Sequence, residues 1–181
     1  MAGNIYLIGP RAAGKSTLGR RLAGALERDF VDCDLALGRR YRQSVAEMLD
    51  EGGWELFRRR EGDYLAELAA GRGRVVATGG GAVLDGNNCR LMRGSGLVLY
   101  LRVPAELLAA RLAAEPRPDR RPSLTGRSPA AEAAEVLAAR EALYLAAAHQ
   151  VIDGRGSPEE VLGLILEACR AFGRRVKTFA G

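Results

Sequence analysis

The chain has 181 residues and a formal net charge of +5, carried almost wholly by arginine because Lys15 and Lys177 are its only lysines. A chain of this length buries about two-thirds of its unfolded surface, and Cys33, Cys89 and Cys169 are odd in number with no Cys-x-x-Cys pair. This suggests neither a disulfide framework nor a zinc site and predicts a reducing, cytoplasmic protein. No run approaches the ~20 apolar residues of a membrane span, and no block of like charge lies beside an aromatic platform for nucleic acid. The basic balance is therefore read as suited to small anionic ligands.

In chain order, the apolar run IYLIG predicts a strand, and GPRAAGKST leads from it into a helix over Ser16–Glu27. Gly9, Gly14, Lys15 and Ser16 fit G-x-x-x-x-G-K-[ST] between strand and helix, the context in which that spacing cradles phosphate. Glycines let backbone N–H groups turn inward around the phosphate, and the helix N-terminus adds its positive dipole end. Lys15 is expected to reach the terminal phosphates and Ser16 to ligate magnesium. The predicted ligand is a nucleoside triphosphate.

The second strand, DFVDCD, is expected to carry Asp32 and Asp34 on one side of an extended chain at its carboxyl end, where open α/β sheets bind ligands. One carboxylate suits magnesium and its water, the other an attacking hydroxyl; the alternative for Asp34 is a helix N-cap. A helical region follows to Ala70, with a capping box at Ser44 (SVAE). At ~100° per residue, Trp54, Phe57, Arg58, Glu61, Leu65 and Leu68 share a face, while Arg59 and Arg60 point to solvent.

RVVATG is the third predicted strand, and the glycines Gly79, Gly80 and Gly81 after it suit close backbone approach to a ligand, or a strained turn. A helix over Asn87–Arg93, the strand GLVLYLRV and a helix over Pro104–Glu115 follow. The segment Pro116–Arg127 is rich in proline and arginine with little to bury, and is predicted to be a mobile loop. In the next helix Val136, Leu137, Arg140, Leu143, Tyr144 and Ala147 form one face. An inward arginine is costly unless paired. Arg58 has Glu61 at i+3 but Arg140 has no local acid, so the two predict either a carboxylate-ligand site or structural ion pairs. The sole histidine, His149, is read as structural. QVIDG is the last strand, and SPEE at Ser157 opens the last helix with a second capping box. Strand and helix in strict turn predict an open, doubly wound parallel α/β domain spanning 1–181, without repeats or linkers.

Taken together, GPRAAGKS, FVDCD, GWELFRRRE, VVATGGG, RPSLTGR and REALY, in this order and spacing, resemble the shikimate kinase family over about Asn4–Phe172. The resemblance implies a P-loop, nucleoside-monophosphate-kinase-like fold with a five-stranded parallel sheet, a substrate-binding region over about 34–62 and a lid over about 116–127. It implies phosphoryl transfer from ATP, with Mg2+, to the 3-hydroxyl of shikimate. Asp34 would be the candidate base, with Lys15 and Arg121 neutralising the transferring group. ATP would be held by Arg11, Ala12, Ala13, Gly14, Lys15, Ser16, Thr17, Arg111 and Arg121, and metal by Ser16 and Asp32. Arg58 and Arg140 would hold the shikimate carboxylate, Glu61 would orient Arg58, and Gly79, Gly80 and Gly81 would line the pocket. The family usually has glycine where this chain has Ala12, at a cost of ~1–2 kcal/mol if that position needs positive φ. Within the family the loop after Asp153 is short and variable, and Arg155 there is a candidate adenine contact.

Three other readings remain on the sequence alone. A gluconate kinase shares the P-loop and the acidic pair, although VDCDLALGRR lacks the His-Pro usual there. The others are a nucleoside monophosphate kinase and a non-catalytic P-loop regulator. The expected state is a monomer, with no membrane or nucleic-acid partner.

Overall fold

The structure, a computed structural model, describes residues 3–114 and 129–178. Five strands, β1 (Asn4–Ile8), β2 (Asp29–Asp32), β3 (Arg74–Ala77), β4 (Gly96–Arg102) and β5 (Gln150–Asp153), pair in the order β2-β3-β1-β4-β5, each neighbouring pair parallel. The helices are α1 (Lys15–Leu26), α2 (Cys33–Tyr41), α3 (Val45–Ala70), α4 (Gly86–Ser95), α5 (Ala105–Ala114), α6 (Pro129–Ala147) and α7 (Pro158–Thr178). The alternation expected from the sequence is therefore present. The expected lid, Pro116–Arg127, and with it Arg121, lie outside the described residues.

Parallel strands are covered on both faces, and the alternation of side chains sorts the core. Ile5, Leu7, Val75, Leu97, Leu99 and Leu101 pack with Leu18, Leu22, Leu108 and Ile165 of α1, α5 and α7. Their neighbours in sequence, Tyr6, Ile8, Val76, Val98 and Tyr100, pack on the other side with Leu65, Leu68, Met92 and Tyr144 of α3, α4 and α6. Close packing of α1 against β2 depends on Gly19, where an added Cβ would lie 2.6 Å from the Phe30 ring.

A third, smaller cluster of Leu37, Val45, Met48 and Phe57 holds α2 against the first part of α3. Both expected capping boxes form: Glu47 N–H donates to Ser44 Oγ and Ser44 N–H to the Glu47 carboxylate, and Ser157 and Glu160 repeat the exchange. The expected helical region up to Ala70 is broken at Gly52 and Gly53, whose φ/ψ of −154/20° and 65/−167° are non-helical. The chain before the break thus turns back beside α3, which alters the expected exposure of Arg60. Arg60 Nη1 donates to Gln43 and Glu51, and its guanidinium lies 4.2 Å from the Tyr41 ring centre. It is a fastening between residues 41–51 and α3, and only Arg59 is exposed as expected.

Candidate active site

The carboxyl ends of β1, β2 and β3 converge on one cleft. At the end of β1, Gly9 (φ 144°) and Gly14 (φ 93°) give the loop its left-handed turns, and Ala12 also has positive φ, at 63°. The expected strain at Ala12 is thus present. Lys15 is buried, and its Nζ donates to the carbonyls of Gly9 at 2.8 Å and Pro10 at 2.7 Å, which holds it across the loop. Arg111 of α5 donates to Ala12 O at 3.3 Å and to Gly154 O at 3.2 Å, joining the phosphate loop to the segment after β5. Arg155 instead turns back on Asp153, whose carboxyl is held down to about 2 by hydrogen bonds from Arg155.

Ser16 Oγ donates to Asp32 Oδ2 at 2.5 Å. Two hard oxygen groups side by side, with a phosphate loop adjoining, fit Mg2+, which takes one or two protein ligands and completes its shell with phosphate and water. The structure corrects the local geometry of the acidic pair. Asp32 ends β2 and caps α2 by accepting from Leu35 N–H at 3.2 Å, while Asp34 stands in the first turn of that helix. The two do not share one extended strand because the strand stops at Asp32, and the N-cap is Asp32 and not Asp34.

Asp34 lines a cleft together with Arg11, Arg58, Glu61, Gly79, Gly80, Gly81 and Arg140. Glu61 is 1% exposed and pairs with Arg58. Burial raises its carboxyl above the usual range, against the opposing pull of Arg58. Among the described residues its Oε1 has no hydrogen-bond partner. Arg58 also lies 5.1 Å from the Trp54 ring centre, which favours a cation over the aromatic face. Trp54 is 40% exposed, at the cleft rather than in the core, because it follows the break at Gly52–Gly53.

Two of the three glycines, Gly79 and Gly81, serve close approach by side chains. A Cβ on Gly79 would overlap Glu61 Oε1 and lie 3.0 Å from Asp34 Oδ1, and one on Gly81 would overlap Arg58 Nη2. Arg140 reaches the same strand end, donating to Gly80 O at 3.3 Å. The inward phase expected for Arg58 and Arg140 is therefore observed, whereas Leu143 is exposed. Arg11, expected on the nucleotide side, lines the cleft that contains Asp34. Sequence reasoning assigned no site role to two residues. Glu132 is buried at the start of α6 and lines the cleft, and Tyr144 O–H donates to Gly80 O at 2.5 Å. For Tyr144 a signal existed, since it lies one turn beyond Arg140 on the same face.

Comparison with known proteins agrees with this geometry. The family described as shikimate kinase matches residues 11–170. The chain is 51% identical over 168 residues to shikimate kinase 2 of Serratia proteamaculans (strain 568), covering 93% of this chain and 96% of that one. It is similar to the solved shikimate kinase from Acinetobacter baumannii in complex with shikimate, with a TM-score of 0.86, 35% identity and 93% of each chain covered. A gluconokinase from Sinorhizobium meliloti shares the fold alone, at a TM-score of 0.62 and 17% identity over 99% of this chain and 98% of that one. A P-loop beside an arginine-lined cleft, with a family match through almost all of the chain, places this protein in the shikimate kinase family.

Proposed function

We propose that this chain transfers the γ-phosphoryl group of ATP to the 3-hydroxyl of shikimate, giving shikimate 3-phosphate and ADP. The observation that carries the reading is one cleft beside the phosphate loop that contains the Asp34 carboxylate and, besides Arg11, the guanidinium groups of Arg58 and Arg140. Arg58, oriented by Glu61 and the Trp54 face, and Arg140, on α6, hold the acceptor's carboxylate from two elements. That leaves the hydroxyl face of the ring toward Asp34, which takes the proton as the hydroxyl oxygen attacks the γ-phosphorus and the bond to ADP breaks. The loop amides of Arg11, Ala12, Ala13, Gly14, Ser16 and Thr17 and the Lys15 ammonium stabilise the phosphate charge, and Arg121 is assigned the same work from the lid. Arg111 flanks the nucleotide through its bonds to Ala12 and Gly154. Ser16 and Asp32 would hold Mg2+, which neutralises charge on the β- and γ-phosphates when bound. The chain acts as a single-domain, cytoplasmic monomer, independent of nucleic acid and membrane; no helix among the described residues is long and apolar enough to cross a membrane.

ADP release measured in parallel with shikimate, gluconate and AMP tests this reading. Turnover is expected with shikimate alone, and Asp34→Asn should lose on the order of 10²-fold in kcat while still binding ATP. Comparable turnover with gluconate or AMP, or none with shikimate, would overturn the assignment.

A further inference from the structure

The Gly80 carbonyl accepts from two donors, Tyr144 O–H at 2.5 Å and Arg140 Nη1 at 3.3 Å. The first is short and the second is near the limit of a hydrogen bond. Tyr144 is 1% exposed, and its ring stacks on Tyr100 with centres 5.0 Å apart and planes 19° from parallel. Tyr100 is fully buried on β4, in register with Ile8, the residue before the phosphate loop. Gly9, the first loop glycine, is close enough that an added Cβ would lie 3.6 Å from the Tyr100 ring. Two packed rings therefore run from the entry of the phosphate loop to the Gly80 carbonyl, and they fix the direction of the Tyr144 hydroxyl.

Arginine grips a carboxylate through two parallel N–H donors in one plane. An N–H drawn to a backbone carbonyl is lost to the ligand. From this competition we infer that Tyr144 is a positioning residue for the acceptor carboxylate: its short bond makes it the main partner of the Gly80 carbonyl and leaves Arg140 only the long 3.3 Å contact there, which a ligand carboxylate can displace. Burial pushes the Tyr144 hydroxyl up to about 12, against the pull of Arg140, whose side chain also hydrogen-bonds it, so it remains a donor throughout the neutral range. The inference rests on the reading that Arg140 binds the carboxylate of shikimate.

The test compares shikimate with its carboxamide, which keeps the ring and hydroxyls and loses the charge, using the full chain. Tyr144→Phe keeps the stacked ring and removes the hydroxyl. The KM for shikimate should rise about 10-fold, as for loss of one buried hydrogen bond to a working group, with the KM for the carboxamide, the KM for ATP and kcat each within about twofold. In an Arg140→Ala background the same substitution should have no further effect, because the tyrosine acts through that arginine. Tyr100→Phe is the control, since among the described residues the Tyr100 hydroxyl has no partner; it should leave both acceptor KM values unchanged. An equal rise for both acceptors, an unchanged shikimate KM, an additive effect with Arg140→Ala, or loss of folding in Tyr144→Phe would each show a merely structural tyrosine and overturn the inference. Absence of shikimate turnover in the wild type would instead defeat the reading of the site on which it rests.

Discussion

Alanine placed singly at Gly79, Gly80 and Gly81 tests whether the acceptor cleft depends on close approach of side chains to this backbone. None of the three has positive φ, so backbone strain is not at issue and the outcome follows from space. At Gly81 a Cβ would overlap Arg58 Nη2 and lie 2.5 Å from its Cζ, so the guanidinium must leave its position beside Glu61. Breaking a buried pair costs ~3–5 kcal/mol; Glu61 is 1% exposed but Arg58 is 23% exposed, which reduces the loss to roughly 2–3 kcal/mol. That corresponds to a fall on the order of 10²-fold in kcat/KM for shikimate. At Gly79 the Cβ would overlap Glu61 Oε1 and crowd Asp34, and a similar loss is expected. At Gly80 the nearest atom is Arg11 N at 3.5 Å, ordinary contact, so Gly80→Ala should change kcat/KM by less than about threefold. All three should keep the wild-type KM for ATP. Steady-state kinetics with both substrates varied decides it. Equal damage at all three positions, or none at Gly79 and Gly81, would refute the steric reasoning.

Three further outcomes follow from particular side chains. Arg58→Ala should raise the shikimate KM on the order of 10²-fold and Arg59→Ala should leave it within about twofold. Arg60→Ala should act mainly on stability, lowering Tm by about 2–4 °C through loss of its contacts with Gln43, Glu51 and Tyr41; similar effects of all three on KM would show that the site reads bulk charge. Ala12→Gly should raise Tm by about 1–3 °C, because relief of the left-handed φ of 63° exceeds the added freedom of the unfolded chain, and a fall in Tm would contradict this. His149 accepts from Val98 N–H through Nδ1 at 3.1 Å, and burial, with Arg93 nearby, lowers its folded-state pKa. The contribution of neutral His149 is therefore complete above its unfolded pKa of about 6.5 and is lost as pH falls through the lower folded value. Urea melts at a series of pH values should show the wild type losing more stability below about pH 6.5 than His149→Asn, which supplies an uncharged acceptor; parallel curves would refute the role.

Much of this protein is determined within a few residues of sequence. The phosphate loop needs only its glycines, Lys15 and the helix that follows, and the capping boxes at Ser44 and Ser157 close over three residues. Helical phase alone turns Arg58 and Arg140 inward, because 3.6 residues per turn fixes their angle to Phe57 and Tyr144 on the same helices. The tertiary structure decided what depends on distant backbone. The strand order β2-β3-β1-β4-β5 and the placement of Arg11 in the cleft that contains Asp34 come from how crossovers pack, not from local pattern. The break at Gly52–Gly53 brings Gln43 and Glu51 back onto α3 and takes Arg60 out of solvent, which a continuous helix would not do. Asp32 rather than Asp34 caps α2 because the strand ends one residue before the helix starts. Gly79 and Gly81 after β3 are required by Glu61 and Arg58 on α3, and Gly80 meets Tyr144 across 64 residues of chain. Residue spacing can express contacts made along one helix or loop. It cannot express the close approach of two elements whose relative position is set only when both faces of the sheet are packed.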